Sequence, residues 1–241
     1  MTFREKVGRL QRIVGCDEID ERFGPETCDK TLAYIDHLRG LSPVGIPSVP
    51  VRAKTFNEEV RLELTKLWET SKVTAVDDRF EWALRKLTDN QDAYAKVAEA
   101  VNSQMPWWFV GVIHVLECSC RFDQHLHNGD SLKAKTVRVP AGRPKTGKAP
   151  YNWEESAIDA LTMPGKAYHE EGDWSIAATL FRLEGYNGYG YRLYRGIHTP
   201  YLWSGTNHYT RGKYTSDGNY SATAVSKQAG AAGLIKLALT A

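Results

Sequence analysis

The chain has 241 residues, 42% hydrophobic and 25% charged, a balance that excludes a disordered chain and allows a sizeable core. The formal net charge of +2 is too small for the dense basic stripe of a nucleic-acid-binding protein, while an anionic polymer such as a cell wall remains compatible with it. No apolar run reaches the length of a membrane span, and MTFREKVGRLQRIVG lacks a signal-peptide core, so the expectation is a soluble chain made in the cytoplasm without membrane insertion.

In chain order, residues 1–40 form a small helical unit: Val7, Leu10, Ile13 and Val14 recur at helical spacing, and a second helix begins near Pro25 and carries Leu32, Ile35 and Leu38. Pro43, Gly45, Pro47 and Pro50 mark residues 41–54 as a linker. Residues 55–104 are helical, with stripes Val60-Leu64-Leu67, Phe80-Leu84-Leu87 and Val97-Val101. Behind Pro106, the segment Trp107–Glu117 is apolar nearly all round, which predicts a buried central helix ending at Glu117.

After Glu117 the periodicity breaks. Asn128-Gly129 and the alternating run Thr136–Val139 predict a small β-hairpin region over residues 122–150. Helix returns over 153–184, residues 185–221 read as a long structured loop, and residues 222–239 as a closing helix. Four cysteines, Cys16, Cys28, Cys118 and Cys120, read as free thiols; Cys118 and Cys120 lie too close on one helix to pair with each other.

The chemistry starts at Glu117. A carboxyl at the end of an apolar helix is desolvated and faces the negative end of the helix dipole; both raise its pKa and suit it to general-acid work. Asp130 is the candidate second polar group across a cleft, with Asp123 and Glu184 as rivals, and Thr136 follows it. Seven Trp and twelve Tyr, most of them after Met105, offer faces for stacking on sugar rings. Tyr186, Asn187, Tyr189 and Tyr191 in EGYNGYGYR, and Trp203, Asn207 and Tyr209 in the YLWSGTNHY block, are the candidate groove residues. His114, His125 and His127 near Glu117 allow a zinc site on paper, but no HExxH spacing or cysteine pair supports one. No metal and no cofactor are expected.

Two resemblances join here. Residues 7–38 resemble the small helical peptidoglycan-binding module, through Leu10-Gln11, Gly15, Asp20, Phe23-Gly24-Pro25 and Thr27, with Glu21 where that family has Gly. The resemblance implies wall binding through Asp20, Phe23 and Gly24. Residues 55–241 resemble phage and prophage lysozyme-like proteins through Met105–Asp130, VPAGRPK, YNWEESAIDA and the two aromatic blocks. In that superfamily the catalytic Glu ends a buried helix. The match implies Glu117 as acid, Asp130 and Thr136 as its partners, and Tyr186-Asn187 in the substrate cleft.

Together these give a mainly α, lysozyme-like α+β fold with a small β-hairpin lobe, preceded by a small helical module. The implied activity is cleavage of MurNAc–GlcNAc β-1,4 bonds by an endolysin-type enzyme acting as a monomer on bacterial peptidoglycan in the periplasm or wall, reached through a holin-like, membrane-disrupting helper or on a phage particle. A lytic transglycosylase forming anhydro-MurNAc, a non-catalytic wall-binding protein, a zinc amidase and a chitin-directed glycosidase stand as alternatives.

Overall fold

The computed structural model describes residues 2, 4–7, 11, 49–74, 76–166, 168, 172–216 and 218–240. The chain divides into two compact units, Met1–Ser48 and Val49–Ala241. In the first, residues 4–7 are helical; the expected second helix, Cys16, Cys28 and the wall-binding residues Asp20, Phe23 and Gly24 lie outside the described residues.

The second unit is built from helices: α1 (Glu58–Thr70), α2 (Asp78–Asp89), α3 (Gln91–Val101), α4 (Trp107–Cys118), α5 (Trp153–Leu161), α6 (Ile176–Asn187), a π-helical turn (Tyr191–Arg195), the one-turn α7 (Pro200–Trp203) and α8 (Ala231–Thr240). The described strands are β1 (Lys213–Ser216) and β2 (Asn219–Ser221), a two-stranded antiparallel sheet. The architecture is thus mainly α. Capping residues set several helix starts: the side chains of Asn57, Asp77, Asn152 and Thr199 accept backbone N–H bonds from the first turns of α1, α2, α5 and α7.

Helix α4 is the centre. Its residues Phe109, Val110, Val112 and Ile113 are fully enclosed, because α2, α3, α6 and α8 all pack on it. Each such side chain contributes roughly 1.5–3 kcal/mol by leaving water. Gly111 sets the approach of its neighbours: a Cβ there would lie 2.7 and 2.8 Å from ring carbons of Tyr94 on α3, so no side chain fits at the crossing. The stripes Val60-Leu64-Leu67 and Val97-Val101 are buried as their periodicity requires, as are Phe80 and Leu87.

Five expectations change. The hairpin lies at 213–221 and not within 122–150. In the latter loop, Val137 and Val139 are both exposed, and the Val137 and Arg138 N–H groups bond the Asp130 carboxylate instead of a partner strand; alternation alone misread a segment whose donors a side chain had taken. The predicted helix 153–184 is two helices, α5 and α6, with other structure between them. The stretch 185–221 is largely regular: the end of α6, the π-turn, α7 and the hairpin. The closing helix begins at Ala231, and Val225 before it is exposed. The second half of the expected linker is also no spacer: the Val51 N–H donates to Glu63, and its C=O accepts from Arg192.

Those two residues belong to a buried charged triad. Arg192, on the π-turn, donates to Glu63 of α1 at 2.7 Å and to Glu184 of α6 at 2.7 and 3.1 Å. All three side chains are at most 2% exposed. The guanidinium fork thereby ties α1, α6 and the π-turn into one frame.

Among the described residues, no helix is long and apolar enough to cross a membrane.

Candidate active site

Helix α4 delivers Glu117 to its last turn. The helix then closes through two left-handed residues, Ser119 (φ 48°) and Cys120 (φ 56°). Their N–H groups donate to the carbonyls of Val115 and His114, the double bond that terminates a helix through an αL residue. The Leu116 carbonyl is taken by Gln228. The loop after α4 folds straight back: Gly129, at φ +74°, lies where a Cβ would come within 2.7 Å of the Glu117 carbonyl oxygen. The chain thus turns tightly around a half-buried carboxyl.

Burial pushes the Glu117 pKa up to about 7 from 4.5, against the opposing pull of Tyr201, Lys166 and Arg138. Four elements supply these neighbours. Tyr201 comes from α7; its buried hydroxyl is directed at Glu117 without closing a bond of normal length to any group. Lys166 follows α5, with Nζ 4.1 Å from the centroid of the Tyr186 ring. Tyr186, on α6, donates its hydroxyl to the Leu126 carbonyl at 2.8 Å and feels the Glu117 charge. Arg138 reaches in from the 122–151 loop. Burial holds both tyrosines above the ordinary phenol range and pulls Lys166 down to about 8, with the Glu117 charge opposing it. A carboxyl poised near 7, ringed by two phenols and a half-buried ammonium, can hold or release a proton at neutral pH.

Asp130 and Thr136 are near in sequence but chemically occupied. The Asp130 carboxylate accepts from Val137 N–H (2.8 Å), Arg138 N–H (2.9 Å) and Arg138 Nε (2.6 Å); burial is the largest single influence and raises its pKa, but these contacts together outweigh it and hold the carboxyl below its usual value. Thr136 Oγ1 donates to the Pro140 carbonyl (2.5 Å) and accepts from Arg143 N–H (2.9 Å). Both residues shape the loop that carries Arg138. The rivals fare no better: Asp123 is paired with Arg121 on the surface, and Glu184 lies in the buried triad.

The histidines also serve the loop. His125 bonds Ser156 Oγ (2.7 Å) and the Ala134 carbonyl (2.8 Å). His127 Nε2 bonds Asp159 (2.8 Å), which also pairs with Arg143. His114 faces the other way, into a cluster with Tyr94, Phe122 and Trp153. No group of three or more His, Cys, Asp or Glu placed to hold a metal occurs among the described residues. Cys118 and Cys120 are free thiols.

The aromatic candidates divide. Asn187 and Tyr191 line a cleft of about 570 Å³ together with Tyr194, Tyr201, Tyr214 of β1 and Gln228; this cleft reaches Glu117 through Tyr201. Tyr189 lines a second cleft of about 400 Å³ with Phe56, Phe181 and Lys166, which reaches Glu117 through Lys166. Tyr186 lines neither cleft; its hydroxyl is buried, with Lys166 over its ring. Trp203 is 1% exposed and belongs to the core. Asn207 spans the end of α1, accepting from Lys72 N–H and donating to the Thr70 carbonyl. Tyr209 accepts from Ser226 N–H and donates to the Gly212 carbonyl. Each of these last three makes core or loop contacts, and Gly- and Tyr-rich composition does not by itself distinguish a groove from a loop folded on itself.

Sequence reading missed Lys166, Arg138 and Gln228, and took Tyr201 as part of a groove block without linking it to Glu117. None stands in a spacing pattern with Glu117, and only the tertiary fold brings them together.

Comparison with family models, with curated proteins and with solved structures finds no match to this chain.

Proposed function

We propose that the chain is a peptidoglycan hydrolase of lysozyme-like type, cleaving MurNAc–GlcNAc β-1,4 bonds with Glu117 as general acid. The observation that supports this reading most is the Glu117 carboxyl itself, buried at the end of an apolar helix, with a pKa near 7 and with Tyr201 and Lys166, each a lining residue of one of the two clefts, acting on it. A protonated carboxyl of that kind donates its proton to the glycosidic oxygen as the bond to the muramyl C1 breaks. Arrival at the wall through a membrane-disrupting helper belongs to the same proposal.

One observation favours the transglycosylase form of this chemistry. Hydrolysis by inversion needs a second, free carboxylate to activate water, and Asp130, the nearest candidate by sequence, has its oxygens filled by three donors. Glu117 alone suffices if the muramyl 6-hydroxyl attacks C1. The leaving GlcNAc oxygen takes the Glu117 proton, the 6-hydroxyl oxygen bonds to C1, and its proton returns to Glu117.

The test is digestion of purified peptidoglycan by the wild type and by Glu117→Gln, with mass spectrometry of the soluble fragments. Reducing MurNAc ends from the wild type alone support hydrolysis, and 1,6-anhydro ends support transglycosylation. Peptide cleavage, or activity that survives in Glu117→Gln, overturns the proposal.

A further inference from the structure

Lys166 is a cation without an anion. Among the described residues its Nζ makes no hydrogen bond and no ion pair; its close partner is the Tyr186 ring, 4.1 Å away. The one carboxyl whose charge reaches it is Glu117, which in the protonated form the general-acid reading needs offers no counter-charge. A half-buried ammonium held only by a ring face is under-compensated.

The surroundings describe what would complete it. The ammonium lies at one end of the 400 Å³ cleft. Phe181 and Tyr189 are stacked on one wall with centroids 4.7 Å apart, and Phe56 packs on Phe181 at 5.6 Å. Arg182, on the same cleft, is held over Trp174. Asp173 also lines the cleft, but its carboxylate is paired with Arg61 at 2.8 Å; an aromatic wall with Lys166 on its margin fits a ligand that carries a sugar or apolar face and a negative group. Neutral chitin lacks the negative group, whereas a muramyl unit carries one, either on its lactyl arm or on the attached peptide.

We propose that Lys166 is a specificity-determining residue that pairs with a carboxylate on the muramyl side chain and so selects peptidoglycan over neutral N-acetylglucosamine polymers. This rests on the glycan-hydrolase reading above.

The test separates the two. Binding is measured calorimetrically in the Glu117→Gln background, where no turnover occurs and Lys166 has no charged neighbour to release. Three ligands are compared: peptide-bearing glycan fragments, the same fragments stripped to a free lactyl carboxylate, and chitohexaose. Lys166→Met is expected to weaken binding about tenfold or more for the ligand whose carboxylate is read, the scale of a charge-assisted hydrogen bond, with chitohexaose unchanged. Lys166→Arg should retain most of the affinity. Loss on the peptide-bearing fragments alone assigns the peptide carboxylate; loss on the stripped fragments assigns the lactyl group. Equal loss on all three ligands, or no loss on either anionic one, overturns the inference while leaving the hydrolase reading intact. If the parent Glu117→Gln protein binds none of the three and the wild type digests no glycan, the hydrolase reading fails and the inference with it.

Discussion

Gly129 touches the backbone of Glu117 so closely that a methyl group on it would stand 2.7 Å from the Glu117 carbonyl oxygen. That contact makes the loop after α4 part of the machinery that places the carboxyl. Gly129→Ala meets two penalties, the clash and a φ of +74° that non-glycine residues adopt at a cost of roughly 1–2 kcal/mol. The expected result is a loss of about 1–3 kcal/mol of stability in urea unfolding, with glycan cleavage reduced beyond what the unfolded fraction explains. Activity that tracks the folded fraction alone would show that the loop does not position Glu117.

Glu117→Gln should stabilise the protein at high pH. Its carboxyl has a folded pKa near 7 against an ordinary 4.5, so the folded state holds the proton more tightly than the unfolded one. Stability then falls as pH rises from 4.5 through 7, by about 3 kcal/mol in total. The glutamine variant does not titrate and escapes that loss. Urea unfolding at pH 4 and pH 8 should show the variant close to wild type at pH 4 and more stable at pH 8. Equal stability at pH 8 would mean that the carboxyl is solvated.

His114 and His127 carry the opposite sign. Burial lowers each from 6.5 to about 4, so the unfolded chain takes up protons that the folded chain refuses. Their contribution is intact above pH 6.5 and is lost as pH falls toward 4, roughly 3 kcal/mol each. In His127 the neutral ring donates through Nε2 to Asp159. His127→Gln should therefore flatten the acid limb of stability while weakening the hold of the 122–151 loop on α5. An unchanged acid limb in that variant would place the titration elsewhere.

Much of this was legible in the sequence, and the division has a physical basis. Local patterns announced α1, α3 and α4, because an amphipathic or wholly apolar helix writes its burial into its own period. Glu117 was legible for the same reason: its burial follows from the helix that carries it. Thr136–Val139 misled because strand-like alternation says nothing about whether a partner strand exists, and here Asp130 took the donors. Lys166, and the relation of Tyr201 to Glu117, were invisible because their meaning lies in a neighbour far along the chain. Trp203, Asn207 and Tyr209 share the composition of a sugar groove but are committed to core and loop contacts.

The Arg192 triad tests how the frame is held. Removing the guanidinium leaves Glu184 buried without its cation and Glu63 with His198 alone, 3.8 Å away, so Arg192→Met should cost about 3–5 kcal/mol. Replacing all three residues by apolar ones of similar volume should restore most of it. Thermal unfolding of the single and triple variants checks this. A mild single variant would show that the two carboxyls can share a proton in place of the arginine.

The pH profile of cleavage tests the site most directly. If Glu117 must be protonated, activity falls as pH rises through about 7, the value at which the carboxyl ionises in the folded protein. Tyr201 and Lys166 both pull that value down, the phenol by the hydroxyl it directs at the carboxylate and the ammonium by its charge. Tyr201→Phe and Lys166→Met should each move the falling limb to higher pH, and the double variant further still, with the unchanged carboxyl still bearing the chemistry. Profiles of kcat for the four proteins supply the comparison. A limb that stays fixed in both variants would detach these two side chains from the titrating group, and a limb that persists in Glu117→Gln would assign it to another residue.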